Sequence, residues 1–153
     1  MTVGGAAGTL PGKVAFEKFV DLWNGELDPA ETEAFVADDI TVHFPPLAKY
    51  LGFSDSGQVT TRQGLLDWVV SIRSLLHDLR FRTTPGPIQE GDLVAGGYVV
   101  TGTYAGGAPK AAAEPGTRVE YTGMSFTRFR NGKCVEYWVL SDALGLLSDL
   151  KAI

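Results

Sequence analysis

The sequence lacks several features that would place it in a well-defined class. It contains one cysteine, Cys134, so no disulfide can form within the chain. No stretch approaches the roughly 18 consecutive apolar residues of a membrane-spanning helix. The first residues, MTVGGAAGTLPG, have no basic region followed by a long apolar one, so they do not resemble a secretory signal peptide. We therefore expect a protein of a reducing compartment, with the cytoplasm as the default location.

Basic residues are also fewer than acidic residues. The chain has 13 Lys and Arg against 18 Asp and Glu, a formal net charge of −5 at pH 7. Binding to nucleic acid or to an anionic membrane needs a cluster of basic side chains to contact phosphate groups. The charge balance therefore argues against both partners and favours a neutral small molecule or another protein.

The usual ligands of metals and cofactors are scarce. The two histidines, His43 and His77, lie on different predicted elements, which argues against a zinc site. The stretch GGYVVTGTYAGG lacks the spacing and the strand-to-helix context of a dinucleotide-binding loop, and GFSDSG is not a nucleophile elbow. The sequence thus predicts no metal and no cofactor. The remaining Asp, Glu, Tyr, His and Trp residues suit acid–base chemistry in an apolar pocket.

The length of 153 residues suits one domain. We predict a flexible tail over residues 1–10 and a single domain over 11–153. Apolar residues spaced three and four apart predict a helix from Pro11 to about Leu27, followed by a short helix over 30–36. The alternating stretch DDITVHFP then predicts a strand, and the aperiodic residues 47–58 predict a loop.

The second half begins with a long helix. Thr60 or Thr61 is predicted to cap it, its apolar residues run to Leu79, and His77 is placed near its polar end. Strands are predicted over about 80–89, 93–104, 118–130 and 133–141, with a short closing helix over 143–150. Helices that precede strands, instead of alternating with them, predict an α+β fold with one mostly antiparallel sheet packed on the N-terminal helices.

The last strand carries the most informative candidate residues, in the stretch YWVLSD. Glu136, Trp138, Leu140 and Asp142 share one face because side chains of a strand alternate. If this face lines a cavity, the low dielectric favours the neutral form of Asp142 and raises its pKa toward a range useful for proton transfer. Two alternatives remain: Asp142 caps the closing helix, and Glu136 faces solvent.

Other strand residues are candidates for the walls of the site. Tyr98 and Tyr104 share a face of their strand, so two phenols are predicted to line one wall. His43 lies opposite the apolar face of its strand, which places it either in solvent or on a cavity wall. Trp68 and Phe126 are predicted to belong to the core or to the cavity wall.

Several stretches together resemble one protein family: FVADDITVHFPP, TRQGLLDWV, EGDLVAGGYVVTGTYAGG and PGTRVEYTGMSFTRFRNGKCVEYWVLSDALGLLSDL. From about residue 12 to residue 150 the chain resembles the SnoaL-like polyketide cyclases of the nuclear-transport-factor-two-like superfamily. The resemblance implies a cone-shaped α+β fold in which a curved sheet wraps around helices and encloses a cavity. It also implies a homodimer formed through the outer face of the sheet, and no cofactor.

The resemblance further implies site residues. In ring-closing members a terminal Asp acts as acid and base, which corresponds to Asp142, and a GTH motif supplies a histidine. This chain has GTY there, so Tyr104 is expected to donate a hydrogen bond to an enolate oxygen, because a phenol is a poor base at neutral pH. The predicted function is a cofactor-independent cyclase or isomerase of a largely apolar, polyketide-like molecule, closing a ring by aldol-type or pericyclic chemistry.

Two alternatives stay open at this point. An epoxide hydrolase of the same fold needs two carboxylates bridged by an arginine, and the sequence shows no evident set: Asp92 stands at a strand edge, and Arg118 and Glu120 lie where another strand begins. A non-catalytic carrier of small molecules needs the cavity but not Asp142.

Overall fold

The computed structural model describes residues 11–44 and 58–153. The predicted tail over 1–10 and nearly all of the predicted loop over 47–58 lie outside the described residues. The elements, in chain order, are α1 (Gly12–Trp23), a 3-10 helix (Pro29–Ala34), β1 (Val36–His43), β2 (Gln58–Val59), α2 (Arg62–Leu75), β3 (Leu76–Thr83), β4 (Ile88–Glu90), β5 (Leu93–Tyr104), β6 (Arg118–Arg130), β7 (Lys133–Ser141) and α3 (Ala143–Asp149).

The strands form one curled, unclosed sheet in the order β2-β1-β7-β6-β5-β3, with β4 pairing to β5. β1 and β7 run parallel, and the other paired strands run antiparallel. The α+β class and the mostly antiparallel sheet are therefore confirmed. The bounds predicted for β5, β6 and β7 agree with those observed, because their alternating apolar residues and the turns between them are strong local signals.

The two faces of the sheet differ in burial. The inner face packs against the helices: α1 contacts β3 and β5, α2 contacts β1 and β3, and α3 contacts β6. The outer face points away from them. Strand β6 shows the alternation that results, with its inner residues buried: Val119, Tyr121, Ser125, Thr127 and Phe129.

Helix α1 ends before the predicted Leu27. The backbone N–H of Glu26 donates to the carbonyl of Asp21 (2.9 Å), and that of Gly25 donates to Leu22 (3.1 Å). With Gly25 at φ +72°, these bonds form a Schellman motif, which requires a left-handed residue and ends a helix. Leu27 lies beyond the end of the helix but is still buried. Its spacing from the earlier apolar residues therefore reflects its burial and not a helical conformation.

The prediction that α2 runs to Leu79, with His77 near its end, is wrong. Thr61 caps α2 as predicted, since its Oγ1 accepts from the N–H of Gly64 (3.0 Å). The helix ends at Leu75, however, and β3 follows at once. The pairing of β3 with β5 shifts register between His77 and Arg80. This bulge places Leu76 and Leu79, three residues apart, both in the core, which reproduces helical spacing within a strand.

Candidate functional site

The structure divides the predicted site residues between the two faces of the sheet. Tyr98, Tyr104 and Trp68 belong to the interior, where they are buried or pack against the core. His43, Phe126, Glu136 and Trp138 lie together on the outer face. Asp142 stands at the end of β7, immediately before α3.

The outer group is brought together by strand register. Phe126 pairs with Trp138, and Trp138 pairs with His43 across three adjacent strands. His43 Nε2 lies 2.8 Å from Glu136 Oε2, and its ring stacks on that of Trp138 with the centroids 5.4 Å apart. The predicted cavity wall at these residues is instead an outward-facing surface, so their role in substrate binding stays a prediction.

Arg128 completes this outer group and was not predicted from the sequence. Its Nη1 lies 3.1 Å from both carboxylate oxygens of Asp92, and its Nε lies 3.6 Å from Glu136 Oε1. The structure therefore contains two carboxylates bridged by an arginine, a set that was not evident in the sequence. The pairing of Arg128 with Glu136 across β6 and β7 was the available signal, because opposite charges favour directly opposed positions on one face.

An apolar groove of about 350 Å³ runs beside Arg128 on the outer face; it is lined by Leu93, Phe126, Arg128, Trp138 and Leu140. Its volume lies within the roughly 300–1,000 Å³ of small-molecule pockets. The groove is open, however: Leu140 is 51% exposed and Met124, on the same face, is 48% exposed. A ligand there would keep much of its surface in water unless another molecule covered the groove.

Tyr98 occupies the centre of the inner face. It is 5% exposed, and its hydroxyl hydrogen-bonds to Ser141 Oγ (3.0 Å). Gly123 pairs with both residues, on the strand between them. A Cβ at Gly123 would lie 2.6 Å from atoms of the Tyr98 ring. The absence of a side chain at Gly123 therefore lets the phenol lie across β6 and reach β7.

Two further phenols on the inner face have identified partners. The Trp23 Nε1–H donates to the Tyr137 hydroxyl oxygen (3.1 Å). The Tyr104 hydroxyl oxygen accepts from the backbone N–H of Ala108 (2.8 Å), which fixes the segment that follows β5. Tyr98 and Tyr104 share the buried face of β5, as predicted.

Burial favours the neutral form of three of the inner phenols. It raises the pKa of Tyr98 to about 12, although the hydrogen bond to Ser141 acts in the opposite direction. Burial, and secondarily the neighbouring Tyr98, raises the pKa of Tyr121 and of Tyr137 well above the usual value near 10. At neutral pH Tyr98, Tyr121 and Tyr137 are thus phenols and not phenolate bases.

Two small voids lie beside these residues. One void between α1 and the sheet, beside Tyr98 and Trp23, measures about 10 Å³. A second measures about 20 Å³ and lies between α2, α3 and the sheet, beside Tyr104 and Tyr121. Either is about the size that one water occupies. A ligand can enter these parts of the interior only if side chains or α3 move.

Asp142 is exposed, and it caps α3. Its Oδ1 accepts from the N–H of Gly145 (2.9 Å), and its own N–H donates to the carbonyl of Thr122 (2.8 Å). The premise that Asp142 is buried beside Trp138 is therefore wrong, because that face of β7 points away from the core. The predicted capping role is observed, while acid–base chemistry stays a prediction.

Within residues 11–44 and 58–153, no three His, Cys, Asp or Glu side chains are grouped so that they could hold a metal ion. None of the helices in the same ranges has the length and apolar character needed to cross a membrane.

Comparison with solved structures shows a shared fold. The chain is similar to wild-type IdmH of Streptomyces antibioticus, a proposed polyketide cyclase, with 24% identity, a TM-score of 0.74, and coverage of 90% of this chain and 96% of that one. It is also similar to AclR of Streptomyces galilaeus, a proposed hydroxylase (22% identity, TM-score 0.71, coverage 92% and 81%). A proposed SnoaL-like polyketide cyclase of Jannaschia sp. CCS1 has 13% identity, a TM-score of 0.74 and coverage of 99% of both chains.

Comparison with curated protein sequences finds no match. The family comparison is more direct, because the SnoaL-like domain matches residues 16–137. This range begins in α1 and ends within β7, and it therefore includes most of the sheet and the helices that pack on it. The chain belongs to the family of SnoaL-like domain proteins.

Proposed function

We propose that this protein is a cofactor-independent cyclase or isomerase that holds a largely apolar, carbonyl-bearing, polyketide-like molecule against the inner face of the sheet. The observation that carries the proposal is the set of buried phenols on this face, within a largely apolar interior: Tyr98, Tyr104, Tyr121 and Tyr137. A neutral donor in a low-dielectric site stabilises a carbonyl oxygen as it gains negative charge.

Asp142 is the proposed proton carrier. In an aldol-type closure its carboxylate takes a proton from the carbon next to a carbonyl, and the electrons of that C–H bond pass to the carbonyl oxygen to form an enolate. A phenol donates a hydrogen bond to that oxygen, and the enolate carbon then attacks a second carbonyl of the same molecule. The C=O π bond of that second carbonyl opens to an alkoxide, which takes the proton back from Asp142. Asp142 follows Ser141, the hydrogen-bond partner of Tyr98, so the proposed proton carrier is the chain neighbour of a residue that this phenol contacts. In a pericyclic closure no proton moves, and the site acts by holding the reacting carbons close together in the required orientation.

Substitution of Asp142 by Asn tests this role. Asn caps a helix about as well as Asp, so the free energy of unfolding should change by less than about 1 kcal/mol. Exchange of the acidic protons of benzoylacetone in D₂O, followed by NMR, should slow by a factor of about 100 or more, the usual contribution of a positioned general base. Asp142→Ala should lose both stability and exchange. Full exchange by the Asn variant would exclude proton transfer by Asp142 and favour a pericyclic cyclase or a carrier.

An epoxide hydrolase is a second candidate, because Arg128 bridges Asp92 and Glu136. Such a set can orient a water molecule for attack on an epoxide. The epoxide hydrolase ranks below the cyclase because Asp92 is about half exposed and the adjacent groove is open. Hydrolysis of styrene oxide that Arg128→Met abolishes, and that Asp142→Asn leaves unchanged, would favour this candidate over the cyclase.

We also propose that a second copy of the chain covers the outer face. This face exposes the large apolar side chains of Ile88, Met124, Phe126 and Leu140, which is costly in water. Light scattering coupled to size-exclusion chromatography should give twice the 16.4 kDa of the chain, and Leu140→Glu should give a folded monomer. A dimer formed here would cover the Arg128 groove and so count against the epoxide hydrolase.

A further inference from the structure

The hydroxyl groups of the inner phenols differ in their hydrogen-bond partners. Tyr98 bonds to Ser141, Tyr137 accepts from Trp23, and Tyr104 accepts from Ala108, as described above. The Tyr121 hydroxyl makes no hydrogen bond with any residue in the described ranges. It is therefore the one phenol of this group whose oxygen and proton both lack a protein partner.

Tyr121 is nevertheless deeply placed, at 8% exposure. It lines the void of about 20 Å³ beneath α3, whose walls are Ile72, Leu75, Leu76, Tyr104, Tyr121, Leu146 and Leu150. Every fully buried side-chain N or O atom in the described ranges has a hydrogen-bond partner. The Tyr121 oxygen is thus not fully sealed in the core, and Tyr121 lines this void.

An unpartnered donor in this position has an energetic cost. A hydroxyl that is largely buried without a protein partner weakens the folded state, and Phe would fill nearly the same volume without that cost. A polar group that weakens the folded state is explained if it gains its partner when a ligand binds.

Tyr121 lies close in the sheet to Asp142, the proposed proton carrier. The backbone N–H of Asp142 donates to the carbonyl of Thr122, the residue after Tyr121. The phenol and the proposed proton carrier therefore lie on adjacent strands at the same end of the sheet. Helix α3, which Asp142 caps, covers the void through Leu146 and Leu150.

We propose that the Tyr121 hydroxyl donates the hydrogen bond that holds the ligand's carbonyl oxygen, in a pocket that opens from the void beneath α3. The inference rests on the function proposed above and assigns to Tyr121 the task that the sequence predicted for Tyr104. The aliphatic walls offer no partner for a charge, so the ligand class is a neutral ketone on an apolar skeleton. The pocket forms by outward displacement of Leu146 and α3.

The test compares two probes of nearly equal shape, acetophenone and ethylbenzene, of which only the first has a carbonyl. Binding is measured by quenching of tryptophan fluorescence, in the wild type and in Leu146→Ala, where the shortened side chain admits the probes without movement of α3. Wild-type protein should bind acetophenone about tenfold more tightly than ethylbenzene, the effect of one net hydrogen bond. In both backgrounds Tyr121→Phe should abolish this preference while retaining ethylbenzene binding.

Matched variants separate binding from structure. Tyr98→Phe and Tyr104→Phe should each lower the melting temperature, because each leaves a hydrogen-bond partner, Ser141 or the N–H of Ala108, unsatisfied. Tyr121→Phe should keep or raise the melting temperature. A preference that survives Tyr121→Phe, or that disappears with Tyr104→Phe instead, would overturn the assignment of Tyr121 alone. Failure of both probes to bind, even in Leu146→Ala, would overturn the proposed inner-face site as well.

Discussion

The two faces of this sheet carry different kinds of polar side chain. The inner face carries hydroxyl groups that remain neutral, such as Tyr98 paired with Ser141. The outer face carries ionisable side chains, in the chain of contacts from His43 through Glu136 to Arg128 and Asp92. Both sets alternate along the same strands, so neighbouring residues of β6 and β7 serve different environments.

The difference shows where charge is tolerated in this fold. Charged side chains stay on the face that water reaches, because desolvating them would cost more than their pairing returns. Phenols provide donors on the face that water does not reach, since a neutral hydroxyl is less costly to bury. This difference supports the proposal that the inner face recognises a neutral carbonyl, with Asp142, at the exposed end of β7, as the proposed proton carrier.

The largest expected effect contrasts tryptophans on the two faces. Trp23, at 4% exposure, packs against Trp68 and Phe81 with centroids 4.9 and 5.1 Å apart. Trp23→Ala should lower the free energy of unfolding by about 3–5 kcal/mol. Trp138→Ala, on the outer face, should lower it by about 1 kcal/mol or less. Urea denaturation measures both, and equal losses would show that the two faces do not differ in packing as described.

A second test adds one methyl group to the inner face. The Cβ of Gly123→Ala would meet the ring of Tyr98, and overpacking of this kind costs about 1–3 kcal/mol. In a Tyr98→Ala background the same substitution should cost almost nothing, because the ring is gone. A double-mutant cycle gives the coupling energy. If Gly123→Ala lowers the free energy of unfolding by the same amount when the Tyr98 ring is absent, the loss comes from the backbone of β6 and not from contact with the ring.

Alkaline titration tests the neutrality of the inner face. The folded-state pKa of Tyr98, Tyr121 and Tyr137 lies above the unfolded value near 10. Their contribution to stability is therefore complete below pH 10 and declines as pH rises above it. Absorbance at the phenolate band should show that these tyrosines ionise late, about pH 12 or above for Tyr98. Ionisation of all the tyrosines near pH 10 in the folded protein would contradict their burial.

The smallest effect is expected on the outer face. Arg128 and Glu136 are each about one-third exposed, and exposed ion pairs contribute only about 0–1 kcal/mol. In the monomer expected of Leu140→Glu, Arg128→Met should change the free energy of unfolding within that range, and added salt should reduce the change further. Thermal melts at low and high salt provide the measurement. A loss of several kcal/mol in this monomer, insensitive to salt, would mean that the chain itself shields these charges from water.

Much of the fold was predictable from local patterns. Alternation and turn residues were sufficient for β5, β6 and β7, because each strand buries one face. The pattern failed at β3, where a bulge brings Leu76 and Leu79 into the core together and imitates a helix. Local spacing does not distinguish the two cases, since the register shift depends on pairing with β5.

The site was less predictable than the fold. The alternation of β7 grouped Glu136, Trp138 and Leu140 correctly, but alternation does not say which face the helices cover. A strand with apolar residues on both faces leaves that choice to the packing of distant elements. The roles of Tyr121 and Ser141 were missed for the same reason, since their significance depends on contacts between β5, β6, β7 and α3.

By itself, the sequence determined the α+β class and the residues that share a face, because both follow from spacing along the chain, and its resemblance to SnoaL-like proteins indicated the family. The tertiary structure alone decided which face became the interior, that Gly123 would accommodate the ring of Tyr98, and that Arg128 would bridge two carboxylates. It also left the Tyr121 hydroxyl without a partner in the described ranges. These features arise where strands distant in sequence meet, and their geometry is set by register and sheet curvature, which no local pattern encodes.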